Sequence, residues 1–235
     1  MEFVKLNAPT LKELFVRQIE DMILSGKLEI GTQLPSERSL AEQMQVSRTV
    51  VNTGIAEMAA KGFLEIRPRI GTFVADYRRY GTLDTLLSIM NYNGGVLRNT
   101  EIRSILEIRL VFDRLTISRV IDCASSDEIE SLEQHLAKLR ASKSPSATAQ
   151  AAFGFHHELS VISGNSLLPL IYTSFKPPII SLWERYCRLY GSDTLYSNTQ
   201  KLYNFIKARD ADRAISWIEQ YIGDAIKGNT EIYSE

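Results

Sequence analysis

Apolar residues return every three or four positions at Leu11, Leu14, Phe15, Ile19, Met22 and Ile23, a spacing that predicts an amphipathic helix over 10–25. Thr10, with Glu13 three residues on, reads as a capping box, and Gly26 ends the helix. Gly31 and Pro35 punctuate a loop. Ser36 caps a second helix, carried by Ser39, Leu40 and Ala41 as far as Met44. Val46 is the apolar plug of the next turn. Ser47 caps a third helix, which runs to Lys61 and stops at Gly62. The period then falls to two: 63–67 and 71–75 read as strands joined by Pro68, Arg69 and Ile70. Helix, turn, helix and hairpin in unbroken succession make a winged helix-turn-helix, which lays one helix in the major groove of DNA.

Beyond Tyr80 strand signals almost vanish and the helical period returns. Helices are predicted over 83–92, 99–123, 127–141, 147–163, 167–190, 194–208 and 210–227. Asp127 with Glu130 is a capping pattern, and Pro145 and Gly164-Asn165 mark turns. Pro177-Pro178 should kink or split the fifth of these helices, because each proline removes a backbone donor. Seven helices with short connections imply a bundle around one core. The expected fold is therefore mostly α. A winged helix-turn-helix occupies 1–76, a polar linker (YRRYG) 77–81, and an all-helical domain 82–235. No repeats or low-complexity tracts interrupt it.

Composition narrows the function. A 235-residue chain with 44% hydrophobic residues is long enough for two buried cores. No apolar run approaches the ~20 residues that span a bilayer, and the first ten residues lack a secretory layout, so the expected compartment is the cytoplasm, with no membrane partner. Cys123 and Cys187 match no metal or redox spacing and read as buried structural thiols. The net charge is −1, and the first 76 residues are not basic overall. DNA binding must therefore rest on a local arrangement of Arg38, Arg48, Arg67 and Arg69.

The chemistry of that arrangement is specific. Arg38 and Arg48 sit in the first turns of their helices, where a docked module meets DNA, and a guanidinium fork matches the O6/N7 pair of guanine. Ser36, Ser47 and Thr49 can bond phosphates beside free helix N-termini. Asn52, one turn beyond Arg48, suits adenine or backbone. Arg69 at the wing tip suits the minor groove or a phosphate, Gly71 permits the tight hairpin, and Thr72 follows it in the second strand. Any one of these residues alone reads equally as surface charge or plain cap; together, with the wing in place, they form a DNA-reading set.

The run LPSERSLAEQMQVSRTVV…GFLEIRPRIGTFV strongly resembles the GntR family of bacterial transcription regulators, over about 10–76. The helical remainder, through FHHELSVISGN (155–165) and FIKARDADRAI (205–215), resembles the FadR subfamily. The resemblance implies a homodimer on double-stranded operator DNA and an effector-binding bundle that takes a small organic acid or an acyl-coenzyme A. It implies neither catalysis nor a cofactor. Two departures stand out. Asn52-Thr53-Gly54 replaces the family's usual Arg-Glu-Ala in the recognition helix, and a mid-helix glycine costs ~1 kcal/mol against alanine. Many subfamily members also hold a divalent metal with an aspartate and three histidines. Here the matching positions are Ala152, His156, Thr199 and Tyr221, so no metal is expected.

The resemblance then points to a repurposed pocket. His156 is either a core histidine or a neutral ligand contact, with Thr199, Tyr203 and Tyr221 making the pocket polar at one end; His157 should lie at the surface. Arg109 either faces an effector carboxylate or pairs within its helix with Asp113. A bundle that binds no effector and only dimerises is the alternative. An enzyme using His156, His157 and Glu158 lacks a nucleophile, a phosphate loop or paired carboxylates.

Overall fold

The caps read from the sequence set the first helices. In the computed structural model, which describes residues 8–90 and 99–227, Thr10 and Glu13 cap each other reciprocally at the start of α1 (Leu11–Leu24). Ser36 and Ser47 cap α2 (Glu37–Met44) and α3 (Arg48–Ala60). Strands β1 (Leu64–Arg67) and β2 (Gly71–Val74) pair antiparallel, with Leu64 opposite Val74 and Arg67 opposite Gly71. Phe15, Ile19 and Ile23 of α1 form one core with Leu40 of α2 and Val51, Ile55 and Met58 of α3. Gly54 sits in that core, and a β-carbon there would overlap the Phe15 ring. The helix-weakening glycine is thus the seat of α1.

Two compact units divide the chain at Met1–Val96 and Leu97–Glu235. The stretch 77–81, expected as a linker, lies inside the first unit. Tyr77–Tyr80 forms a single helical turn, α4, and the Tyr77 ring lies 5.5 Å from Phe63. Helix α5 (Leu83–Met90) follows; Ile89 packs on the same core and the Thr85 hydroxyl donates to the Lys61 carbonyl. The last two positions of the helix expected over 83–92 fall outside the described residues.

Among its described residues the second unit contains helices and no strand. They are α6 (Asn99–Cys123), α7 (Ser126–Ser131), α8 (Glu133–Ala141), α9 (Pro145–Ile162), α10 (Leu168–Ser174), α11 (Lys176–Tyr190), α12 (Ser192–Lys207) and α13 (Ala211–Ile226). Helix α9 lies against α6, α8, α10, α11 and α12, so Ala149, Ala152, Phe155 and Leu159 are central to the core. Arg209, in a left-handed conformation, donates to the Ile121 and Ala124 carbonyls at 2.6 and 2.7 Å and closes the C-terminus of α6.

Two expectations are corrected, those for 127–141 and for Cys123, and the split expected at Pro177-Pro178 is present. The helix over 127–141 divides at Leu132, and its capping box is Ser125–Glu128 rather than Asp127–Glu130. The helix over 167–190 breaks at Phe175, just before the prolines, which enter the first turn of α11 where their missing N–H groups are not needed. Cys187 is buried as expected, but Cys123 is exposed, because it falls on the outward side of the last turn of α6. No described helix is long and apolar enough to cross a membrane.

Candidate DNA interface and effector cavity

Two serine caps aim the first unit's polar face. Ser36 Oγ accepts from the Ser39 amide at 3.2 Å, and Ser47 Oγ from the Val50 amide at 3.3 Å. Arg38 and Arg48 therefore project from the first turns of α2 and α3. Both are exposed, as are Ser36, Ser47, Thr49, Asn52 and Arg69, whereas Gly71 and Thr72 are half-buried in β2. Ser36, Arg38, Arg48, Arg69, Gly71 and Thr72 line one open groove between α2, α3 and the hairpin. Thr49 and Asn52 lie outside it. Arg38 is held by Glu42 at 2.9 Å, and Arg67 by Glu65 at 2.8 Å with its guanidinium 4.4 Å above Phe73. Arg48 and Arg69 make no ion pair among the described residues, so their charges are open to phosphate or base.

The wing has a brace that its sequence hides. The segment before Pro35, read as a loop, pairs with β2: the Gly31 and Leu34 amides donate to Val74 and Thr72, and the Val74 amide donates to Thr32. Gln33 Nε2 donates to the Ile70 carbonyl at 3.0 Å. Gly71 has φ +145°, and a β-carbon there would stand 2.5 Å from that Gln33 nitrogen. Arg69 has φ +66°, a conformation that costs most side chains of order 1 kcal/mol and persists where the surroundings enforce it.

The second unit buries its polar residues. Arg109, on α6, is 4% exposed; its Nε donates to Asp113 Oδ2 at 3.2 Å and its guanidinium lies 4.4 Å over Trp183. The intrahelical pair expected for Arg109 therefore exists, and the same residue also walls a cavity. That cavity, about 20 Å³, is bounded by Arg109, Trp183, Tyr186, Tyr221 and apolar residues of α6, α11 and α13. Such a volume holds about one water. A second, of about 10 Å³, brings together His156, Asn198, Thr199, Trp217 and Tyr221. Burial pushes the Asp113 carboxyl and the Tyr172 and Tyr221 hydroxyls up. Burial, and then the Arg109 charge, holds His156 well below the usual histidine range, so its imidazole is neutral.

His156, Thr199 and Tyr221, grouped in the sequence by the family resemblance, thus border one cavity. Tyr203 does not join them: its hydroxyl points out to Glu133 Oε1 at 2.9 Å. His157 is half-buried rather than at the surface, stacked 5.9 Å from Phe153. The donor set does not fit a divalent cation. It offers one imidazole, a threonine hydroxyl already given to the Leu195 carbonyl, a tyrosine and Ala152, with a guanidinium nearby.

Comparison with known proteins agrees with this division. Residues 11–74 match the family described as bacterial regulatory proteins, gntR family, and residues 104–224 match the FCD domain. The HTH-type transcriptional regulator Mce2R of Mycobacterium tuberculosis is 30% identical over 159 residues, 68% of this chain and 66% of that protein's length. The HTH-type transcriptional repressor NanR of Edwardsiella tarda is 26% identical over 219 residues, 87% of this chain and 79% of that protein. A solved structure of Listeria monocytogenes Lar, described as controlling the agr system, is similar with a TM-score of 0.63 at 15% identity, over 94% of this chain and 97% of that one.

Proposed function

The chain belongs to the gntR family of bacterial regulatory proteins and carries an FCD domain, and from that premise we propose that it is a transcription regulator, reading operator DNA with its first unit and a small molecule with its second. The observation that carries the DNA reading is the groove where the unpaired Arg48 and Arg69 face the same space as the capped N-terminus of α2. In this reading Arg48, with Thr49 and Asn52 beside it on α3, enters the major groove. Arg69 reaches the minor groove or its phosphates. Ser36, Ser47 and Thr72 fix the backbone register.

The protein acts as a cytoplasmic homodimer of the FadR type, without catalytic activity, and represses its targets. Exposed Ile108, Val111 and Leu115, one stripe along α6, support self-association. Effector binding shifts the second unit between two packings and so changes the spacing of the two recognition helices, to which half-sites a helical turn apart are sensitive. Arg109, His156, Thr199 and Tyr221 are the effector-side residues.

The small cavities favour a second reading, in which the helical unit only dimerises and DNA binding is constitutive. One experiment separates the two. Fluorescence anisotropy on labelled DNA from upstream of the gene, run with a metabolite panel, should show tight binding that Arg48→Ala weakens and that at least one compound releases. Binding that no compound changes supports the constitutive dimer. No preference for upstream over random DNA would refute both.

A further inference from the structure

Arg109, Asp113, Tyr172 and Trp183 form a polar cluster in the interior of the second unit, with Thr116 one turn beyond Asp113 on α6, and each is under 5% exposed. Arg109 commits Nε to Asp113, but its Nη2 makes no well-formed hydrogen bond among the described residues. Thr116 Oγ1, the Tyr172 hydroxyl and Trp183 Nε1 likewise make no well-formed hydrogen bond, although the Tyr172 hydroxyl lies near the Arg109 guanidinium and the Tyr221 hydroxyl near the Trp183 indole N–H. Native interiors leave few such groups unsatisfied. Four donors without a well-formed bond in one region leave room for an added acceptor to complete the site.

Two features define what that is. Arg109 Nη2 and Trp183 Nε1 can only donate, and the two hydroxyls can donate as well, so the complement is an oxygen acceptor. The charge of Arg109 is already balanced by Asp113, whose side chain is as deeply buried as its partner's. A carboxylate entering there would leave a net negative charge at low dielectric, whereas an uncharged carbonyl would not.

We propose that the second unit binds a small uncharged carbonyl compound, an amide, ester, lactone or ketone, through the donors around Arg109, and that Asp113 sets the preference against carboxylates. This rests on the effector reading above and narrows it to a neutral head group. Leu106, Leu182, Tyr186 and Ile222 receive an apolar body. Tyr221 borders both cavities, so a body of more than a few atoms enters by displacing its ring and joining the two spaces.

Matched probe pairs test this: acetamide against acetate, benzamide against benzoate, phenylacetamide against phenylacetate. Each is titrated calorimetrically into the full-length protein and into Asp113→Asn, with circular dichroism to verify the fold. The wild type should bind at least one amide about tenfold more tightly than its acid. Asp113→Asn should reverse the order, since Arg109 then carries an unbalanced charge. If that variant does not fold, the double variant Arg109→Gln/Asp113→Asn keeps the site neutral and should bind the amide weakly while still preferring it. A wild type that prefers carboxylates, an unchanged ratio in Asp113→Asn, or no binding by any pair (ordered water alone filling the site) overturns the proposal. A probe that binds with the expected preference but leaves operator affinity unchanged refutes the effector reading while the site assignment stands.

Discussion

Arg38–Glu42 and Arg109–Asp113 are the same local device, an arginine and an acid four residues apart on one helix, at 2.9 and 3.2 Å. The first has side chains 73% and 66% exposed and the second 5% and 4%. In water the pair is weak and exchangeable, so Arg38 is free to leave Glu42 for a phosphate. In the interior neither partner has an alternative, and separating them would strand a charge. One spacing yields a surface tool in one unit and a fixed core element in the other. What decides is the packing around it.

The comparison can be broken most decisively at Asp113. Asp113→Leu should lower unfolding free energy by about 3–5 kcal/mol in urea titrations, because Arg109 loses its counter-charge. Arg109→Met/Asp113→Leu should recover most of that loss. A mild single-variant effect would mean water reaches the pair. Next, Gly54→Ala should destabilise by about 1–3 kcal/mol, against the gain of ~1 kcal/mol that alanine normally brings to a helix, because Phe15 occupies the space. Arg48→Ala should leave the melting temperature alone and cost about 1–3 kcal/mol of operator affinity by anisotropy.

His156 gives a smaller, pH-dependent effect. Its folded-state affinity for protons is depressed, so below pH 6.5 the unfolded chain takes up the proton first. Stability should be full above that pH and fall as pH drops further, and His156→Gln should flatten the decline in melting curves between pH 7.5 and 5.5. Smallest of all, Glu42→Ala should shift stability by less than about 0.5 kcal/mol, in contrast to the buried counterpart.

The same division explains what was legible in the sequence. The first unit is built from signals that act within a few residues: Thr10, Ser36 and Ser47 as caps, Gly62 as a stop, alternation in the wing. Its candidate DNA-contacting residues could be placed because caps and turns aim them. Features set by distant packing were hidden. Gln33 pairs across 37 residues of sequence, so its segment read as loop. Gly54 read as a penalty because Phe15 lies on another helix. In the second unit, Arg109, Tyr172 and Trp183 come from three helices, and only Arg109 was singled out. Tyr203 stands apart from the cavity residues because its hydroxyl reaches Glu133, 70 residues away, a contact the sequence does not display. Cys123 looked apolar by its neighbours, although the last turn of α6 turns it outward.

Gln33 carries one further consequence. The strand-like segment that steadies the wing tip is also the run of chain that enters the cap of α2, so hairpin and helices are clamped by the same few residues. A clamp of this kind leaves no hinge inside the reading head. In the proposed dimer, signals from elsewhere would then be transmitted as changes of pitch and separation between two stiff keys, with the teeth of each key unaltered. Weakened clamps, such as Gln33→Ala, would turn a switch that works by alignment into one blurred by play in the joint.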